Sequence, residues 1–346
     1  MTDLRGLVRA GARVLAEAGI ASADVDALEL AAHVLRVDTS EARRRMVLGG
    51  DLPPSFEDTY AAQLAERARR VPLQHLTGRA HFRRITLAVG PGVFVPRPET
   101  EVLVDLALAE IDRRLARPAP ANTAFEVERG GTPSSSTSNA AFGVGSGQVH
   151  GERRDGSELS GIRVVDLCTG SGAIALAIKD ERPGAAVRAL ELSGDALAWA
   201  EHNRARLDLD VELANGDATQ PCFPDWRGSV DVVTVNPPYI PVGAVPVDPE
   251  VRDHDPGLAL YGGSDDGLAI PLRVASVAAS LLRPGGLLLM EHADSQGSSL
   301  PAALGSTGAW TDVADHVDLS GRPRVTSARR GLTAVPSTRT RLPSHE

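Results

Sequence analysis

The sequence predicts an α/β protein: a doubly wound, mostly parallel sheet, preceded by a small helical domain and joined to it by a β-hairpin. Three observations predict it. Residues 4–70 repeat apolar side chains at helical spacing, residues 78–95 change to short apolar alternation, and from Ile162 onward apolar runs of strand length alternate with helical stretches. At 346 residues the chain exceeds one typical domain, and two is the expected number.

Taken in order, Leu4, Leu7, Val8, Ala12, Val14 and Leu15 predict a first helix with Gly19 as its C-terminal cap. Ser22 or Asp24 opens a second, carrying Leu28, Leu30, Ala31, Val34 and Leu35. Pro53-Pro54-Ser55 interrupts the pattern, and Phe56 to Arg70 resumes it. Residues 1–75 are therefore read as a helical domain and 76–98 as a hairpin linker. In that hairpin Phe82, Ile85, Leu87 and Val89 precede a turn at Gly90-Pro91-Gly92, and Val93 and Val95 follow it. Glu99 to Leu115 reads as a helix opening the main domain, which extends to residue 330. Residues 117–160 lose apolar periodicity and are rich in Ala, Pro, Gly, Ser, Thr and Asn. They are expected to be a disordered insertion. Their Gly143-Val144-Gly145-Ser146-Gly147 has the composition of a phosphate loop but no strand before it or helix after it.

Strands are predicted at Arg163–Leu167, Ala186–Glu191, Val211–Ala214, Val230–Val235 and Leu287–Glu291, with helices at Ala173–Lys179, Asp195–Leu207 and Gly267–Leu282. Val313–Leu319 and Arg324–Ala328 flank Gly321-Arg322-Pro323 and read as a closing antiparallel pair. Residues 331–346 read as a flexible tail.

Composition bounds the function classes. Hydrophobic content of 42% and charged content of 23% are ordinary for a globular chain. No apolar run approaches the ~18 residues of a membrane span, and Met1 to Arg5 lacks the basic-then-apolar start of a secretory signal. The two cysteines, Cys168 and Cys222, make neither a disulfide framework nor a zinc site alone, so the expectation is a metal-free cytoplasmic protein. A net charge of −9 and 12 aromatic residues argue against a general nucleic-acid binder. Residues 1–85 differ from the remainder, with 13 Arg against 11 Asp plus Glu.

Two motifs carry chemistry. In Asp166-Leu167-Cys168-Thr169-Gly170-Ser171-Gly172 a buried strand enters a glycine-rich turn and then a helix, so backbone can approach a ligand and helix N–H groups face it. Asp166, before the turn, suits the ammonium of an amino-acid-like cofactor. Glu191 ends the next strand, where an acid accepts from ribose hydroxyls, and Asp217, beside Ala218, ends the third, facing an adenine amino group. Asn236-Pro237-Pro238-Tyr239 ends the fourth strand. Two prolines remove two backbone donors and hold the chain extended. The Asn236 amide oxygen and the Pro237 carbonyl then make two acceptors for both hydrogens of a planar NH₂ group, and Tyr239 can stack on it. Transfer of a methyl group from a sulfonium is an in-line displacement, so such alignment supplies most of its acceleration.

With these motifs in place the chain resembles the protein-(glutamine-N5) methyltransferases that modify peptide chain release factors. The likeness includes Val93-Phe94-Val95-Pro96-Arg97-Pro98-Glu99-Thr100-Glu101, Asp166 to Gly172, Glu191, Asn236 to Tyr239, and Asp255-Pro256 with Gly262-Gly263. Ser193 stands where the family often carries an aspartate. The resemblance implies S-adenosyl-L-methionine as cofactor and the glutamine of a Gly-Gly-Gln motif as acceptor, with the helical domain helping to bind a release factor. It adds Phe94, Arg97 and Pro98 to the substrate-binding set, and the chain is expected to act as a monomer. An adenine-N6 nucleic-acid methyltransferase, with a similar Asn-Pro-Pro-Tyr, is the alternative.

Overall fold

The computed structural model describes residues 3–116 and 161–332. The predicted insertion at 117–160 and all but the first two residues of the predicted tail lie outside the described residues.

Helices α1 (Leu4–Glu17), α2 (Ala23–Leu35), α3 (Thr39–Leu48), α4 (Phe56–Ala68) and α5 (Leu73–Thr77) form the N-terminal unit. Asp3 caps α1 by accepting from the Gly6 amide at 2.7 Å, and Gly19, at φ +76°, follows its end. Leu15, Leu30, Phe56 and Tyr60 are buried in this unit's own core, where the Tyr60 hydroxyl donates to the Ala27 carbonyl at 2.9 Å.

The hairpin is present but turns earlier than expected. Strands β1 (Arg79–Phe82) and β2 (Ile85–Ala88) pair antiparallel, with Arg83 in the left-handed region at φ +52°. Arg83 accepts that backbone because it is anchored all round: its amide donates to Glu101 and its guanidinium to Glu181 and Asp105. Gly90-Pro91-Gly92 does turn, at Pro91-Gly92, but beyond the hairpin, and it leads into an irregular segment whose Val93 and Val95 pack into the main core. A short 3₁₀ turn at Pro98–Thr100 then leads into α6 (Glu101–Leu115), two residues later than the spacing suggested.

The main sheet contains β3 (Arg163–Leu167), β4 (Ala186–Glu191), β5 (Val211–Asn215), β6 (Val230–Val235), β7 (Leu282–Glu291), β8 (Trp310–Val317) and β9 (Pro323–Arg330), in the order β5-β4-β3-β6-β7-β9-β8. Pairing is parallel from β5 to β7, and β9 and β8 close the edge antiparallel. Helices α7 (Ala173–Glu181), α8 (Gly194–Leu207), α9 (Pro249–His254), α10 (Ala269–Leu281) and α11 (Ser299–Ser306) complete the domain. The period of two along the strands divides the core. Val164, Val232, Leu287 and Leu289 face one layer, and Val165, Val233, Leu288 and Met290 face the other. With both faces covered, β6 is buried at every residue, which is why four of its six residues are valine and its two polar ones, Asp231 and Thr234, are both hydrogen-bonded. The chain leaves β3 toward β4 on one side and returns as β6 on the other. The carboxyl ends of β3 and β6 therefore form the topological switch point, where open α/β sheets bind ligands.

Candidate active site

A cavity of about 610 Å³ opens at that switch point, within the range of small-molecule sites. Phe94, Arg97, Cys168, Thr169, Gly170, Ser171, Glu191, Asp217, Ala218, Asn236, Pro238 and Tyr239 line it, so the structure brings most predicted site residues together. Pro98, Gly172 and Pro237 stand outside the lining.

Asp166 also stands outside it. It is fully buried beneath the turn, where one carboxylate oxygen accepts from the Thr169 hydroxyl at 2.5 Å and the other from the Thr234 hydroxyl at 2.7 Å. The expected direct contact with a cofactor ammonium is not what this geometry provides. Asp166 instead ties the turn to β6, whose Thr234 is its register partner. Burial pushes this carboxyl up to about 7, against the opposing pull of the two hydroxyls.

The turn is shaped by three left-handed residues: Cys168 at φ +61°, Gly170 at +57° and Gly172 at +85°. Gly170 has open space where a Cβ would stand, which lets a ligand approach the backbone, whereas a Cβ on Gly172 would strike Leu176 at 2.9 Å. Cys168 adopts a backbone that normally favours glycine. Burial, followed by the negative charges of Glu191, Asp166 and Asp217, pushes its thiol up, which disfavours the reactive thiolate.

Glu191 is oriented by backbone. One oxygen accepts from the Gly170 amide at 2.8 Å and the other from the Ser193 amide at 2.9 Å, leaving further lone pairs for hydroxyl donors. Ser193, in the family's aspartate position, caps α8 by accepting from the Ala196 amide. Asp217 closes its own turn, accepting from the amide and hydroxyl of Thr219 at 2.8 and 2.7 Å. A glycine turn open to ligand, a pre-oriented Glu191 and a second acid at the next strand end fit a nucleoside that carries an amino acid.

At the end of β6, none of the side-chain hydrogen bonds among the described residues uses the Asn236 amide, although it lines the cavity. Tyr239 is better fixed. Its hydroxyl lies 3.5 Å from Glu291, a long contact, and burial pushes the phenol upward. Arg97 lies over the Phe94 ring at 5.2 Å and donates to buried Asp255 at 2.8 Å, so this pair forms an anchored rim. His292 is buried and held by Asp315 and the Ala293 carbonyl, away from the lining.

Sequence reading missed Thr234, Asn203 and Gln296. Thr234 interrupts an apolar strand, which is a usable signal. Asn203 has none: its amide joins Ala88 of the hairpin to Ser171 of the turn, partners 115 and 32 residues away. Among the described residues no cluster of three or more His, Cys, Asp or Glu could hold a metal, and no helix is long and apolar enough to cross a membrane.

Two family models match the chain, "PrmC N-terminal domain" over residues 6–78 and "Methyltransferase small domain" over residues 157–246. A release factor glutamine methyltransferase of Streptomyces coelicolor is 42% identical over 319 residues, spanning 92% of this chain and 95% of its own. The protein of that name from Mycolicibacterium smegmatis is 40% identical over 331 residues, spanning 95% and 99%. One from Deinococcus radiodurans is 35% identical over 329 residues, spanning 95% and 99%.

Proposed function

The chain belongs to the release factor glutamine methyltransferase family of S-adenosylmethionine-dependent enzymes, and on that premise we propose that it methylates the side-chain amide nitrogen (N5) of the glutamine in the Gly-Gly-Gln motif of peptide chain release factors. The observation that carries this reading is the uncommitted Asn236 amide at the end of β6, lining the same cavity as the nucleoside-type residues Glu191 and Asp217.

When bound, the cofactor supplies a methyl group on a positively charged sulfur. Glu191 takes the ribose hydroxyls, Asp217 faces the base, and the Cys168–Gly172 turn admits the ligand to the backbone. Asn236 accepts one hydrogen of the glutamine NH₂, and the carbonyl of Pro237, next in the chain though outside the cavity lining, is assigned the other, so that the two hold its plane. An amide nitrogen is a weak nucleophile because its lone pair is delocalised. Fixed acceptors on both hydrogens favour the positive charge that develops on nitrogen as it attacks. As the nitrogen–carbon bond forms, the carbon–sulfur bond would break to leave a neutral thioether, and one proton then passes from that nitrogen to water, so attack needs no strong base beside it. Tyr239 and the Phe94–Arg97 rim bracket the planar side chain, and the N-terminal helices take part in binding the release factor.

The test is methyl transfer from labelled cofactor to a purified release factor, its Gly-Gly-Ala variant and DNA. Label on the intact release factor alone is the expected result. Label on DNA, or undiminished label on the variant, overturns the reading.

A further inference from the structure

The two prolines that make the acceptor site also remove its means of support. Neither has an N–H, so the Asn236-Pro237-Pro238-Tyr239 run cannot be held from its own donors across Pro237 and Pro238. Support has to reach its carbonyls from outside.

Beyond β7 a short 3₁₀ turn, Asp294–Gln296, brings Gln296 to this point. The side chain is buried, with 4% exposure, and every part of its carboxamide is used. Its nitrogen donates to the Tyr239 carbonyl at 3.0 Å and to the Asp266 carbonyl at 2.8 Å, and its oxygen accepts from the Ala293 amide at 3.0 Å. Three segments far apart in sequence thus meet on one amide.

The packing around it leaves no slack. A Cβ on Gly267 would lie 2.0 Å from the Tyr239 carbonyl oxygen and 2.9 Å from the Gln296 nitrogen, and Gly267 is at φ +74°. Just downstream, the Ile240 amide donates to the Leu260 carbonyl at 2.7 Å and the Gly262 amide to the Ile240 carbonyl at 2.9 Å. The run 260–267 is therefore a strap against the far end of the motif, and Gln296 ties strap and motif together.

We propose that Gln296 is a positioning residue for methyl transfer, whose two N–H groups set the pose of Asn236 and Pro237 by fixing the Tyr239 carbonyl against the 260–267 strap. The inference rests on Asn236 acting as the acceptor's partner, as read above. Only a neutral carboxamide meets the requirement of two donors toward carbonyls and one acceptor toward an amide. A carboxylate at this position would turn lone pairs toward two carbonyl oxygens.

The experiment compares Asn236→Ala, Gln296→Ala, Gln296→Met and Gln296→Glu in the full-length enzyme. It measures kcat and KM for the acceptor protein, calorimetric Kd for S-adenosylmethionine, and thermal melting. Misplacing a reacting group by about 1 Å costs about 100-fold in rate. The expected result for the Gln296 variants is a kcat loss of about that size, with cofactor Kd and acceptor KM within about threefold. Gln296→Glu recovers part of its kcat as pH is lowered, because protonation restores one donor. Gln296→Met, similar in size, provides the comparison if Gln296→Ala does not fold. A folded Gln296→Met with kcat within threefold of the parent overturns the proposal. So does a loss mirrored in cofactor Kd, which would make the role general scaffolding. If Asn236→Ala keeps its activity, the underlying reading of the acceptor site fails instead, and the two failures are distinguishable.

Discussion

Replacing Arg67 by alanine tests how the helical unit is joined to the catalytic domain. Arg67 lies in α4 with its side chain 4% exposed. It donates to Asp26 of α2 at 2.7 Å and to Glu250 of α9 at 2.8 Å, and also reaches the Val71 carbonyl at 3.1 Å. Removing one partner of a buried pair costs roughly 3–5 kcal/mol, because the remaining charge is left without compensation. The two acids would not suffer equally. Glu250 keeps Arg70 at 3.2 Å, whereas Asp26, its side chain 4% exposed, keeps, among the described residues, only the Ser22 hydroxyl at 2.8 Å. The loss therefore falls on the helical unit, and with one donor retained it should lie near the lower bound, about 3 kcal/mol. Urea unfolding of the full chain, followed by far-ultraviolet circular dichroism, measures it. A companion variant, Arg67→Met with Asp26→Leu, removes both charges and should recover most of the loss. Because α9 follows the Pro246–Asp248 stretch of the cavity wall, Arg67→Ala should also lower kcat/KM for the acceptor protein. A loss below about 1 kcal/mol, the scale of an exposed pair, would refute the reasoning, as would a double variant no better than the single one.

Asn236→Ala should abolish methyl transfer while cofactor Kd, measured by calorimetry, stays within a few fold; retained turnover would remove Asn236 from its assigned role. Glu191→Ala removes a charged acceptor already oriented by two amides and should weaken cofactor binding by about 2 kcal/mol, roughly 30-fold, with an unchanged Kd as the contrary result. Burial pushes the Glu291 carboxyl from its ordinary 4.5 up to about 7. Its contribution to stability is therefore complete below pH 4.5 and lost as pH rises through 7. Glu291→Gln should gain on the parent across that window, by up to about 3 kcal/mol; parallel stability curves would contradict it. Cys168, its thiol pushed up by burial, should resist iodoacetamide at pH 7 in the folded enzyme, and mass-spectrometric detection of rapid alkylation there would contradict this.

Some of this protein was written in local pattern. The strands β3, β4 and β6 have the bounds that their short, mostly apolar segments predicted, because strands in a sheet covered by helices are dominated by apolar residues. Glu191, Asp217 and Asn236 were readable as strand-end residues, and their convergence followed from the parallel topology. The hairpin turn was misplaced for a physical reason. Gly90-Pro91-Gly92 has the composition of a turn, whereas Arg83 has none. Arg83 holds φ +52° through ion pairs with Asp105 and Glu181, 22 and 98 residues away, which no local window contains. Asp166 shows the same division. Sequence put it at the turn, and only its contacts with Thr169 and Thr234 turned it under the floor and away from the ligand wall. Asn203 and Gln296 lie wholly on the tertiary side, since each is a buried amide whose purpose is set by carbonyls and amides brought from elsewhere in the chain. Local periodicity and motif spacing determined the class of fold and the kind of chemistry. The pose of the reacting groups depended on long-range hydrogen bonds, which only the folded chain assembles.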